Sequence, residues 1–309
     1  MEAQKNKRVV VTGATGLIGS RLVQILADRG DHVIAFVRDP AKDADRAPGA
    51  TEYVRWSARM AEGEWEEKLD GADAVINLAG APIAKRWTEE WKKIVRESRV
   101  TGTRNLVQAM RVAGNKPSAL IQGSAVGYYG AYMPRPVTEN SLPGNDFMGE
   151  LCRDWEEEAR KAELMGVRVV RVRTGIVLDP DGGALREMML PFRLFAGGPL
   201  GSGDQPWPWI HRDDEIGVLL HALDNSGISG PLNAVAPESI TNRQFSTALG
   251  EVLGRPSWIP VPQFVLKLMF GEGSVALTGG QSVVPEKTAE SGYEFKYTDV
   301  RSALKNLIG

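Results

Sequence analysis

A single cysteine, Cys152, occurs in 309 residues. No disulfide can therefore form within the chain, and the sequence is read as cytoplasmic. Cys152 falls in a helical stretch and is read as a packed thiol, not a nucleophile. Histidine is almost as scarce. His32, His211 and His221 are the three, and no cysteine or acidic cluster joins them at metal-ligand spacing, so no metal is expected. Nowhere do about eighteen apolar residues run together, which argues against a transmembrane helix. Residues 1–8 are polar and carry no apolar signal-peptide core. Charge of one sign is missing too, with 37 Lys+Arg against 39 Asp+Glu. The net −2 offers no global field for nucleic acid or an anionic membrane, and neither partner is expected. No internal repeat and no low-complexity tract occurs.

What is present is a globular balance, 42% hydrophobic and 25% charged. The length admits one large domain or two and can bury roughly three-quarters of the unfolded surface. The most informative stretch is Val9-Val10-Val11-Thr12-Gly13-Ala14-Thr15-Gly16-Leu17-Ile18-Gly19. Three β-branched residues run into a turn, and apolar positions 18, 22, 25 and 26 then make a helical stripe closed by Gly30. Strand, glycine turn and helix form the context of a dinucleotide fingerprint. Gly13 permits the turn, Gly16 lets backbone approach a pyrophosphate, and Gly19 lets helix pack on strand. The helix N-terminus supplies free N–H groups to the phosphates.

Residues 32–37 read as a second strand ending at Arg38. An arginine there suits the 2′-phosphate of NADP, whereas an acid would favour NAD. Asp39 follows and is read as the cap of a turn with Pro40. Residues 39–50 are expected to be a polar loop, with a third strand at 53–56. Strand four spans 72–78 and runs into Ala79-Gly80-Ala81-Pro82, whose small residues leave room for a cofactor against backbone. Residues 88–112 form one long helix; its basic residues are interleaved with glutamates, as on a solvated face. Strand five, 118–124, leads into Ala125-Val126-Gly127-Tyr128-Tyr129-Gly130. A helix over 146–165 and a sixth strand over 167–178 complete an alternating pattern, which implies a doubly wound parallel sheet.

From Asp179 the texture becomes glycine-rich, as in functional loops. His211-Arg212-Asp213 resembles a kinase catalytic loop, but Val218 stands where that motif needs asparagine, so the reading fails. Helices are expected at 215–224 and 241–253, a stiff connector at 258–262, and two or three short elements over 263–309. Trp207 and Trp209 could stack a base or sugar, and His211 and Asp213 are polar candidates on the substrate side.

The TGATGLIG turn, Asn77-Leu78-Ala79-Gly80, Ser124-Ala125-Val126-Gly127-Tyr128-Tyr129-Gly130 and Trp209-Ile210-His211 together resemble the extended short-chain dehydrogenase/reductases. More closely, the chain is similar to the atypical group called "epimerase family protein", whose members end in a small domain of unknown function. Gly292-Tyr293-Glu294-Phe295-Lys296-Tyr297 with Ala303-Leu304 is similar to that tail. The resemblance implies an α/β, Rossmann-like doubly wound sheet over 1–178, with 205–235 returning to it. It implies substrate-side loops and a smaller C-terminal α/β region over 179–309, whose last part spans about 257–309. It also implies an NADP(H) site at Gly13, Thr15, Gly16, Leu17, Ile18, Gly19, Val37, Arg38, Leu78, Ala79, Gly80 and Arg99. The substrate is an unidentified small molecule, and a homodimer is admitted.

Catalysing members carry a YxxxK pair on the helix after strand five, where the tyrosine exchanges a proton and the lysine lowers its pKa. Here Phe147 and Leu151 occupy those places and continue an apolar stripe through Trp155 and Ala159. Ser124 is a candidate strand-end hydroxyl, although alignment on the Tyr-Gly places Ala125 in that slot. Tyr129, with Tyr128 beside it, is the candidate substitute phenol. Two functions follow: an NADP(H)-dependent oxidoreductase or epimerase acting on a nucleotide sugar or other polar substrate, or an inactive NADP(H)-binding redox sensor.

Overall fold

The structure, a computed structural model, describes residues 6–309, so part of the polar stretch at 1–8 lies outside the described residues. β1 (Arg8–Thr12) passes through the glycine turn to α1 (Leu17–Asp28) and β2 (His32–Val37). Where a polar loop was expected, α2 (Pro40–Asp43) and a 3-10 turn at Ala44–Arg46 stand instead. Pro40 presets the first helical φ, and Asp39 O accepts from Lys42 N at 3.1 Å and Asp43 N at 2.8 Å. β3 (Glu52–Arg55) and β4 (Ala74–Asn77) follow. α3 (Glu89–Arg96) and α4 (Gly102–Val112) form the expected long helix, joined through a π turn at Glu97–Thr101.

β5 (Ala119–Ala125), β6 (Tyr132–Val137), α5 (Phe147–Arg160) and β7 (Arg168–Thr174) come next. The strand expected over 167–178 is broken at Gly175, where a Cβ would stand 2.3 Å from Pro208 O. Beyond the break, β8 (Ile176–Leu178) leaves the main sheet, and after α6 (Gly183–Arg193) it pairs in parallel with β9 (Trp209–His211). α7 (Arg212–Asp224), β10 (Gly230–Ala234) and α8 (Asn242–Leu253) follow. The tail holds more elements than expected: α9 (Gln263–Phe270), α10 (Val275–Thr278), β11 (Gly280–Val283), α11 (Glu286–Glu290) and α12 (Val300–Ile308). β11 pairs with β6, which ties this tail to the loop after β5.

The main sheet has the order β10-β7-β5-β4-β1-β2-β3, with every neighbouring pair parallel. The order reverses at β1, between β2 and β4, and ligands of such sheets bind at the strand ends at that point. Val9, Val10 and Val11 show why β1 is central. All three are fully buried, with Val9 and Val11 in the core under α1 and α7 and Val10 in the core under α4. A strand covered on both faces reads as an unbroken apolar run. A third core joins α6, α8 and α12 around Trp207 and Trp209, so neither tryptophan is free to stack a ligand.

α7 carries an anomaly. Glu215 is fully buried; one oxygen accepts from Thr174 Oγ1 at 2.8 Å and the other has no partner. Burial pushes its pKa up to about 8. Between the unfolded value, about 4.3, and about 8 the folded chain holds a proton that the unfolded chain has released. Stability is therefore fully present below that range and lost as pH rises through it. Glu215→Gln should flatten this slope, gaining about 3–4 kcal/mol over wild type between pH 5 and 8. Urea melts at the two pH values measure it, and an unchanged difference would refute the assignment.

Candidate functional site

The glycine turn has no room for a side chain at Gly13 or Gly19. Gly13 sits at φ 67, and a Cβ there would lie 2.7 Å from the Leu78 carbonyl. A Cβ at Gly19 would meet Gly13 O at 2.2 Å, so α1 rests directly on the turn. Gly16 is the N-cap of α1 and supplies no side-chain cap, which leaves first-turn N–H groups and the positive helix end facing outward. Beside the turn, Thr12 Oγ1 donates to Asn77 Oδ1 at 2.5 Å and accepts from Ala79 N at 3.2 Å. Asn77 Nδ2 donates to Thr103 Oγ1 and Gln122 Oε1, both at 2.9 Å. This buried ladder fixes the Leu78-Ala79 backbone against Gly13.

A cleft of about 710 Å³ opens there. Gly13, Thr15 and Gly16 line its floor, Val37 and Arg38 the β2 end, and Leu78, Ala79 and Gly80 the β4 end. These eight include most of the expected cofactor residues. Leu17, Ile18 and Gly19 are not on its wall. Leu17 packs toward Gly182 and Gly183, Ile18 against the core, and Gly19 against Gly13. Arg99 stands behind the wall: Nη1 donates to Ala81 O at 2.9 Å, and the guanidinium lies over the Trp155 ring. Burial lowers its pKa. Its place in the π turn aims it at the Gly80-Ala81 backbone, where a Cβ at Gly80 would collide with it at 2.9 Å. Sequence reasoning missed Arg46, the Ser57-Ala58-Arg59 segment, Lys85 and Glu97, all on the same cleft. The signal available was position, since 57–59 follow directly on β3, whose end must face the same side as the ends of β1 and β2.

Neither candidate catalytic hydroxyl lines the cleft. Ser124 is buried and donates to Glu156 Oε1 at 2.7 Å. Tyr129 is 1% exposed; its OH donates to Asn233 Oδ1 at 2.6 Å and accepts from Arg173 Nη1 at 3.0 Å. Burial pushes that phenol up to about 12. Arg173 holds the group together, bidentate on Glu156 at 2.8 and 3.0 Å and stacked 3.4 Å over Tyr128. Burial pulls the Arg173 pKa down, but the bonds to Glu156 outweigh it and hold the guanidinium above its ordinary value.

The YxxxK positions carry no proton donor. Phe147 lies edge-on to Trp87 at 5.1 Å, and Leu151 is buried beside Trp155, Val95 and Val100. Cys152 is buried as well, its thiol pushed up to about 12 by desolvation, which suits packing and not nucleophilic attack. His211 is fully buried, stacked on Tyr297 at 3.7 Å, with Nδ1 accepting from Asp213 N; burial lowers its pKa. Asp213 pairs with Arg21. Both residues hold elements together and do not face the cleft. Among the described residues no group of three or more metal-ligating side chains occurs, and no helix is long and apolar enough to cross a membrane.

Residues 9–234 match the NAD dependent epimerase/dehydratase family, and 261–307 match a domain of unknown function, DUF1731. The chain is 42% identical to the chloroplastic epimerase family protein SDR39U1 homolog of Arabidopsis thaliana, covering 99% of this chain and 88% of that one. It is 38% identical to epimerase family protein YfhF of Bacillus subtilis, covering 97% of each. Among solved structures, human epimerase family protein SDR39U1 (isoform 2) with NADPH superposes at TM-score 0.86 and 38% identity, over 97% of this chain and 98% of that one. A nucleoside-diphosphate sugar epimerase from Corynebacterium glutamicum gives 0.79 and 31%, over 99% of this chain and 59% of that one. With a cleft at the switch point of a parallel sheet, a C-terminal unit joined to β6 through β11, and relatives alike over nearly all of this chain, the chain belongs to the NAD-dependent epimerase/dehydratase family, in the branch that ends in DUF1731.

Proposed function

We propose that this chain binds NADP(H) in the cleft at the strand ends and is an oxidoreductase or epimerase that works without a tyrosine–lysine pair. The observation that carries the reading is the turn at Gly13, Gly16 and Gly19, closed to side chains at Gly13 and Gly19 and bare at Gly16, where a diphosphate needs backbone. Arg38 stands at the end of β2, exposed, where a 2′-phosphate would lie. The human relative solved with NADPH supports the choice of cofactor. Likeness to the nucleoside-diphosphate sugar epimerase of Corynebacterium glutamicum makes sugar nucleotides the first substrate class to test.

When bound, NADP(H) supplies or accepts a hydride at the nicotinamide ring. The chain's own part is to hold the phosphates on main-chain N–H groups, to seat the adenosine between β2 and β4, and to keep the Leu78-Ala79 backbone rigid through Thr12 and Asn77. No proton comes from the two positions of α5 where tyrosine and lysine would stand, since Phe147 and Leu151 have none to give. Incubation with C4-deuterated NADPH and a panel of sugar nucleotides and carbonyl compounds tests the reading. Slow transfer of label is expected, and a panel without any transfer would contradict it.

A second reading, a redox sensor that does no chemistry, is favoured by one observation: the hydroxyls of Ser124 and Tyr129 are both engaged in the buried Arg173–Glu156 network. It predicts different partner sets in pull-downs with NADP⁺ and NADPH. Identical sets would remove it.

A further inference from the structure

Asp39 follows Arg38 directly and would oppose a phosphate dianion if its carboxylate faced the cleft. It does not. Its side chain pairs with Lys42 at 3.0 Å, and its backbone N–H donates to Asp43 Oδ2 at 3.2 Å. The short α2 thus turns the acid aside. The other oxygen of Asp43 receives Arg46 Nη1 at 3.2 Å, and Arg46 Nη2 points to Thr15 O at 3.4 Å. Thr15 belongs to the glycine turn and Asp43 to the helix after β2, so the Arg46 guanidinium spans the gap between them.

We propose that Arg46 is the second guanidinium of a two-arginine phosphate clamp, with Asp43 as its positioning residue, and that Arg38 and Arg46 together set a preference for NADP(H) over NAD(H). The proposal rests on reading the cleft as a dinucleotide site. Asp43 is suited to position rather than merely neutralise. It is buried, with one oxygen on Arg46 and the other on the chain itself, so it cannot swing away with the arginine. Arg46 is held on one edge, and its side chain remains 55% exposed on the cleft wall. The Thr15 contact, at 3.4 Å, is long and easily exchanged for a charged oxygen. Arg38 makes no ion pair among the described residues and completes the clamp from the β2 side. Arg59, the third guanidinium on the cleft, is drawn to Glu97 at 3.1 Å. A phosphate dianion between Arg38 and Arg46 would receive planar, charge-assisted donors from two directions, which a nicotinamide coenzyme lacking that phosphate cannot use.

Titration of NADPH, NADH and 2′,5′-ADP at one fixed salt concentration tests this on wild type, Arg46→Ala, Arg46→Lys and Asp43→Asn. Arg46→Ala should weaken NADPH and 2′,5′-ADP by roughly 10- to 30-fold and leave NADH within about twofold. Arg46→Lys should recover only part, because an ammonium cannot present a fork. Asp43→Asn should weaken NADPH by about threefold with little effect on NADH. Equal losses for NADPH and NADH in Arg46→Ala would show a structural role and overturn the clamp, as would no loss for either. Wild type without any preference for NADPH over NADH would instead overturn the choice of cofactor, so the two failures are distinguishable.

Discussion

Glu156→Ala should lower the unfolding free energy by about 3–5 kcal/mol, among the largest single effects the structure predicts. Glu156 and Arg173 are each about 2–3% exposed, and the carboxylate accepts from both Nε and Nη2 of that guanidinium. It also accepts from Ser124 and lies 3.6 Å from Arg171. Removing it leaves two desolvated cations and a buried hydroxyl without their acceptor. Breaking a buried pair from one side is far more harmful than replacing it whole. Glu156→Leu combined with Arg173→Met should therefore recover part of the loss, although Tyr129 and Glu139 O would lose a donor. Urea denaturation decides. The cofactor affinity of the folded single variant should stay unchanged, since none of these residues lines the cleft. A Glu156→Ala protein as stable as wild type would show that the network does not hold the strand ends.

Gly16→Val is expected to abolish coenzyme binding, by roughly 100-fold or more, while leaving the fold intact. Gly16 has φ −82, an ordinary backbone for any residue, and a Cβ there meets only Gly13 O, at 3.1 Å. The side chain would project into the cleft where a diphosphate must approach the chain. Gly13→Val is a poorer test, because φ 67 and the Leu78 carbonyl would strain the apo protein too. Fluorescence titration of Gly16→Val with NADPH and NADH should show both lost together. That separates it from Arg46→Ala, which removes only the phosphate-specific part.

The central architecture was legible because it rests on runs and periods. Val9–Val11 with three spaced glycines could only be a buried strand meeting a helix, and the stripe Phe147, Leu151, Trp155 and Ala159 announced a packed α5 without chemistry; the last three are buried. What escaped reading depended on contacts distant in sequence. Ser124 and Tyr129 sit beside a motif of active relatives, yet Glu156, Arg173 and Asn233 claim their hydroxyls from residues up to 104 positions away. The break at Gly175 follows from Pro208, which belongs to another strand's approach. Trp207 and Trp209 resembled a stacking platform between prolines until α8 and α12 covered them. Arg46 was hidden by composition. A stretch of Asp, Lys, Arg and Pro has the texture of a loop, and only the Asp39 carbonyl bonds that close α2 show it as a helical turn.

Everything proposed depends on a diphosphate lying where β1 hands over to α1. Crystals of the wild-type protein grown with NADPH test this most directly. Density for the diphosphate is expected within hydrogen-bond reach of the backbone N–H groups of residues 16–18, with the 2′-phosphate between Arg38 and Arg46. Coenzyme bound at another place, or a cleft without density under saturating NADPH, would contradict it.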